Sequence, residues 1–167
     1  MGTMFIPQSP QGPQFIVFSG IPGSGKTTEA LKLIDRLRSE GRQALKVNRD
    51  DLRSMLFGEA YHTSDFPSVH EQDVTILQRK LLHHGLERRW TVISDDTNLS
   101  ASGVKSFKRI AEQHDAEFFE IPIVVKLEVA LERNRLRGAA GGRLVPEEVI
   151  RSMFERQANA LRAKGGK

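Results

Sequence analysis

Residues Gly20 to Thr27 read G-I-P-G-S-G-K-T, a full match to the pattern G-x-x-x-x-G-K-[ST] of loops that hold nucleotide phosphates. Gly20, Gly23 and Gly25 let backbone N–H groups turn inward with no Cβ in the way. Lys26 brings a compact cation to the β- and γ-phosphates, and the Thr27 hydroxyl can ligate Mg²⁺. With Ser24 and Thr28 these are the candidate donor-site residues, and ATP with Mg²⁺ is the expected donor. The octapeptide leaves open what receives the phosphate.

Asn48-Arg49-Asp50-Asp51-Leu52-Arg53 offers an acceptor side. Asp50 and Arg53 stand three apart at a helix start and can face the same way. A carboxylate there can take the proton of an acceptor hydroxyl, while an arginine beside it holds an acidic substrate. An aspartate of ordinary pKa, about 3.9, is a weak base at neutral pH, but phosphoryl transfer asks mainly for positioning. The segment also fits a plainer role, with Asp50 or Asp51 capping the helix and Arg53 solvated. Ser94-Asp95-Asp96-Thr97-Asn98 supplies carboxylates that can hold Mg²⁺ or orient an arginine, or form an aspartate-rich turn. Arg133 and Arg137 lie four apart on one helix face, with Arg135 and Arg143 beside them. On a lid they can close over a triphosphate and offset its charge; otherwise they complement the helix dipole.

The apolar pattern supplies the elements that must hold these residues. Phe15 to Phe18 is a buried-strand run, and Ala30, Leu31, Ile34 and Leu37 give the following segment a helical period. Ala44 to Val47 predicts a second strand that runs into Asn48, and a short helix then ends near Gly58. Tyr61 to Pro67 reads as loop, with a long helix from Ser68 and a third strand at Trp90 to Ile93. A helix from Ala101 to His114 leads to a fourth strand at Phe118 to Val125, and a further helix spans Glu128 to Arg137. The glycine-rich run from Gly138 to Gly142 is a candidate hinge, and Pro146 suits the start of the last helix. The expectation is an α/β fold with a central parallel sheet of about four or five strands, helices on both faces and a helical lid. Ligands then sit at the carboxyl ends of the strands. Residues 1–13 read as a flexible arm, and 14–167 as one domain.

The 167 residues suffice for one core, and no cysteine is present, so disulfides are excluded. His83 and His84 point to different helix faces, which argues against a shared metal. No apolar run approaches the roughly 18 residues that span a bilayer, and the start lacks the regions of a signal peptide. A cytoplasmic location is expected, that of the host if the source is viral. The net charge is +4, with the basic excess concentrated after residue 125, as a surface meeting a polyanion would have it.

G-I-P-G-S-G-K-T, N-R-D-D-L-R, S-D-D-T-N-L and R-N-R-L-R-G followed by V-P-E-E-V-I-R-S-M together resemble the kinase domain of the polynucleotide 5′-hydroxyl kinase family. That family is best known from a bacteriophage end-healing enzyme, and the resemblance runs from about Ile16 to Met153. It implies a P-loop NTPase fold and transfer of the γ-phosphate of ATP to the 5′-hydroxyl end of DNA or RNA. Lys26 and Thr27 would bind the donor phosphates and Mg²⁺, Asp50 would be the general base, Arg53 would contact the acceptor's phosphate, and Arg137 would be the lid residue. The family has one aspartate before the threonine where this chain has Asp95 and Asp96; Asp96, next to Thr97, is the choice for the inherited role. No phosphatase or ligase segment accompanies the kinase motifs. Related phage kinases act on the hydroxymethyl group of 5-hydroxymethyluracil in DNA, and small-molecule or nucleoside kinases share the donor loop. Phe57, Tyr61, His62 and Phe66 could line a pocket for an extruded base, or simply pack.

Overall fold

The computed structural model describes residues 12–58 and 68–165. Most of the expected arm and the loop from Tyr61 to Pro67, with Tyr61, His62 and Phe66, lie outside them. Four strands, β1 (Gln14–Ser19), β2 (Ala44–Val47), β3 (Thr91–Ser94) and β4 (Glu117–Pro122), alternate with α1 (Lys26–Ser39), α2 (Arg49–Phe57), α3 (Ser68–Glu87), α4 (Ala101–Gln113), α5 (Leu127–Ala139) and α6 (Glu147–Gly165). α2 and α3 both fall between β2 and β3.

The sheet is parallel throughout, in the order β2-β3-β1-β4. Ser94 is level with Val17 of β1 and Val47 of β2, so the segments after β1, β2 and β3 emerge at one edge. β1 lies inside the sheet and all six of its residues are buried. Its alternate side chains feed two cores. Phe15 and Val17 pack with Val74, Leu82, Leu86 and Val92 on the α3 and α4 face. Ile16 and Phe18 meet Ala30, Leu33, Ile34 and Leu37, the apolar stripe of α1, on the other. Each such side chain contributes about 1.5–3 kcal/mol on burial, which fixes the register of β1 and so the place of the loop after it.

β4 ends at Pro122, three residues before the expected Val125, because its partner leaves the sheet. The Ile123 N–H still reaches the Ser19 carbonyl at 2.7 Å, but β1 then turns away at Gly20. Ile123 packs against the α1 face, while Val125 joins a third cluster in which Ile21, Ala130 and Ile150 seat α5 and α6 against the loop after β1.

Candidate active site

The loop from Gly20 to Gly25 turns directly into α1, whose N-cap Gly25 is left-handed at φ 99° and makes no side-chain cap. The helix therefore opens with backbone N–H groups free for an anion. Gly23, at φ 80°, lies so close to α5 that a Cβ would stand 2.5 Å from the Ala130 carbonyl oxygen. No other residue fits both the backbone and the space. Lys26 is only 7% exposed, and its Nζ donates to the Ile21 carbonyl at 2.8 Å. Burial pushes its pKa down to about 8, with Asp95 and Asp96 nearby partly restoring the charged form.

Asn48 caps α2: its Oδ1 accepts from the N–H groups of Asp50 (2.8 Å) and Asp51 (3.2 Å). The cap is thus neither aspartate, and the Asp50 carboxylate is spared that task. Arg53 Nη1 donates to Asp50 Oδ1 at 2.6 Å. Glu71, in the first turn of α3, accepts from Arg53 Nε (2.6 Å) and Nη2 (2.9 Å) and from Arg49 Nη2 (2.6 Å). Hydrogen bonds from Arg53 above all, with burial opposing them and Arg49 adding to them, hold its pKa down to about 2. Glu71 is the residue that motif reading missed. An acid in a helix's first turn ordinarily complements the dipole, and no spacing ties it to arginines 18 and 22 residues away.

The segment after β3 joins the two sides. Asp96 accepts from the Arg49 N–H (2.9 Å) and Gln78 Nε2 (2.9 Å), and burial raises its pKa to about 6. Asp95 is 2% exposed; its Oδ1 accepts from Asn48 Nδ2 at 3.0 Å, and its Oδ2 has no partner among the described residues. Asn98 Nδ2 donates to the Phe18 carbonyl (2.8 Å) and the Gly20 N–H to the Thr97 carbonyl (2.9 Å), which fixes this segment against the phosphate loop.

Arg133 Nη1 donates to the Gly23 carbonyl at 3.1 Å, and Arg137 Nη2 to Asn134 Oδ1 at 3.0 Å. Arg135 pairs outward with Glu132. Beyond the glycine run, buried Asn134 donates to the Val145 carbonyl (2.8 Å) and accepts from its N–H (3.0 Å), which ties the following loop to α5. The loop so pinned carries Arg143 to Asp50 Oδ1 at 2.9 Å, across 93 residues of sequence.

A cavity of about 1370 Å³ runs between these parts. Lining it are Gly23, Ser24, Gly25, Lys26, Thr27 and Thr28 on one side, Asp50 and Arg53 on the other, with Asp95, Asp96, Arg133, Arg137 and Arg143 also in the wall. Gly20 and Arg135 are not in the lining; Gly20 packs beneath, where a Cβ would meet the Ile123 carbonyl at 2.6 Å. Phe57 is also outside the lining and stacks on His70, with ring centroids 4.2 Å apart. The arrangement faces a buried cation and an open helix end toward a carboxylate–arginine pair, the parts a group transfer between two bound molecules requires.

The family model described as AAA domain matches residues 15–160. The chain belongs to the AAA domain family. This AAA domain is 26% identical over 144 residues to the L-seryl-tRNA(Sec) kinase of Methanococcus maripaludis, covering 84% of the chain and 51% of that protein. It is 29% identical to a putative bifunctional polynucleotide kinase/RNA ligase of Autographa californica nuclear polyhedrosis virus, over 77% of the chain and 19% of the viral protein. A probable adenylyl-sulfate kinase of Aeropyrum pernix is 28% identical over 70% of the chain and 61% of its own length. Among solved structures, a chain of the Pnkp1/Rnl/Hen1 RNA repair complex superposes with TM-score 0.78 at 25% identity, over 93% of this AAA domain and 47% of that chain. The fold is thus that of the P-loop kinases. The chain spans about half, or less, of the seryl-tRNA kinase, the viral protein and the repair-complex chain. No described helix is long and apolar enough to cross a membrane.

Proposed function

We propose that this AAA domain is an ATP-dependent kinase that transfers the γ-phosphate to the 5′-hydroxyl end of a DNA or RNA strand. The observation that carries this reading is the acceptor side. Asp50 stands in the first turn of a helix capped by another residue, beside an arginine braced on Glu71, in the same cavity as Lys26. Arg53 has five guanidinium N–H groups, of which three are spent on Glu71 and Asp50, so two remain for an acceptor phosphate. Asp50 then takes the hydroxyl proton as the oxygen attacks. Lys26, Ser24, Thr28 and the amides of Gly23 and Gly25 hold the donor phosphates, with Gly20 shaping the loop beneath them, while Arg133 and Arg137 offset charge from the α5 side. Similarity to the viral polynucleotide kinase/RNA ligase and to the RNA repair complex supports a polynucleotide acceptor.

The donor set suits a magnesium ion, since Asp95, which carries a buried carboxylate oxygen with no partner among the described residues, lines the cavity that Thr27 also lines. Thr27 with Asp95 and Asp96 would hold it. Between the two acids, Asp96 is already engaged by Arg49 and Gln78, so the free Asp95 oxygen is the better placed. When bound, the ion would neutralise phosphate charge.

The similarity to an adenylyl-sulfate kinase favours a second reading, a small acidic acceptor at the same base and arginine. Labelled ATP incubated with 5′-hydroxyl DNA, 5′-hydroxyl RNA, duplex DNA containing 5-hydroxymethyluracil and free nucleosides separates these. Label at the 5′ end is the expected outcome; label on a base hydroxyl or a nucleoside alone overturns it. Asp50→Ala is expected to abolish transfer while ATP binding survives, and transfer at the wild-type rate would remove Asp50 from its role.

A further inference from the structure

Beyond the wall formed by Asp96 and Thr97 lies a second cavity of about 340 Å³, between α3, the start of α4, and α6. Arg49, Asp96, Thr97 and Met153 line both cavities, so the two lie side by side. The lining carries three arginines, Arg49, Arg79 and Arg156, against one carboxylate, Asp96. Arg49 is committed to Glu71, Thr75 and Gln78, and Asp96 to Arg49 and Gln78. Arg79 of α3 and Arg156 of α6 remain; both are exposed, and neither forms an ion pair or hydrogen bond with a described residue. Two arginines without a partner among the described residues, from different helices, therefore line a cleft that shares part of its wall with the acceptor side. Planar forks of this kind suit phosphate oxygens, and Asp96, the one carboxylate in the lining, is engaged by Arg49 and Gln78.

We propose that this cleft is a second acceptor subsite, in which Arg79 and Arg156 bind phosphodiester groups of the strand beyond its first nucleotide. The proposal rests on the kinase reading above and deepens it: the preferred substrate is a strand, not a nucleoside or a small acid. Contacts to a single strand give a salt slope of about −0.7 per phosphate, so two contacts contribute about 1.4. Their share of the acceptor KM then rises about sevenfold between 50 and 200 mM salt.

The test compares initial rates with labelled ATP on a 5′-hydroxyl octanucleotide and on a nucleoside 3′-phosphate, for the wild-type chain and for R79A/R156A. The octanucleotide KM is expected to rise tenfold or more and its salt slope to flatten by about 1.4. The KM values for ATP and for the nucleoside 3′-phosphate are expected to stay within twofold. R79K/R156K, which keeps the charges, is expected to restore the slope. An unchanged octanucleotide KM, or an equal rise for both acceptors, overturns the subsite. If the wild-type chain labels neither acceptor, the polynucleotide kinase reading fails and the subsite with it; labelling of both, with no difference in the variant, overturns the subsite alone.

Discussion

Replacing Glu71 by glutamine keeps the shape of the side chain and removes the charge that braces Arg53 and Arg49. The carboxylate accepts three guanidinium hydrogen bonds of 2.6–2.9 Å and titrates at about 2, against an ordinary 4.5. At about 1.4 kcal/mol per unit that shift corresponds to roughly 3 kcal/mol. The side chain is 35% exposed, so solvent screening reduces it to about 1–2 kcal/mol. Because the folded-state pKa is depressed, the contribution is complete above pH 4.5 and disappears as pH falls from there toward 2. Urea denaturation followed by circular dichroism, at steps from pH 7 to pH 3, is the assay. At pH 7 Glu71→Gln is expected to be less stable by about 1–2 kcal/mol, or roughly 2–8 °C in Tm, and the deficit is expected to narrow below pH 4.5. A deficit that stays constant from pH 7 to pH 3 refutes the account of Glu71 as an ionised brace.

Lys26, with its pKa near 8, is expected to take up a proton when ATP phosphates bind, so affinity falls as pH rises through that value. Calorimetry at pH 8 in buffers of different ionisation enthalpy should show buffer-dependent heats that Lys26→Ala abolishes; equal heats for the wild-type chain contradict this. Gly23→Ala combines a left-handed backbone with a 2.5 Å clash and is expected to cost about 2–4 kcal/mol. A Tm within 2 °C of wild type would count against that packing. Arg143→Ala removes a half-exposed ion pair to Asp50, worth up to about 1 kcal/mol, and so should speed thermolysin cleavage beside Leu144 by about two- to fivefold. Unchanged cleavage would mean that the contact does not hold the loop.

The parts legible in the sequence are those whose partners lie close along the chain. Phe15 to Phe18 and the stripe Ala30, Ile34 and Leu37 declare a strand and a helix around the glycine loop, and both stand there in the structure. Residues 123–125 mislead because an apolar run cannot say whether it pairs in a sheet; Ile123 packs on the α1 face, Val124 is exposed and Val125 packs beneath the loop after β1. The part played by Asn134 is not legible, because it is a polar side chain whose burial depends on the loop after the glycine run folding back. Glu71 and the reach of Arg143 to Asp50 are contacts between elements far apart in sequence, and only the stacking of α2, α3 and the α5–α6 loop over one sheet edge brings them together.

Asn48 uses its amide in two directions, the oxygen inside the first turn of α2 and the nitrogen on Asp95. Aspartate would cap the helix equally well but would press a second anion against a buried carboxylate; serine would cap it and fall short of the neighbouring strand. Position 48 thus acts as a rivet that only asparagine can make. A tilt of α2 would therefore pull on the segment after β3, so that the two sides of the large cavity are mechanically joined at one side chain.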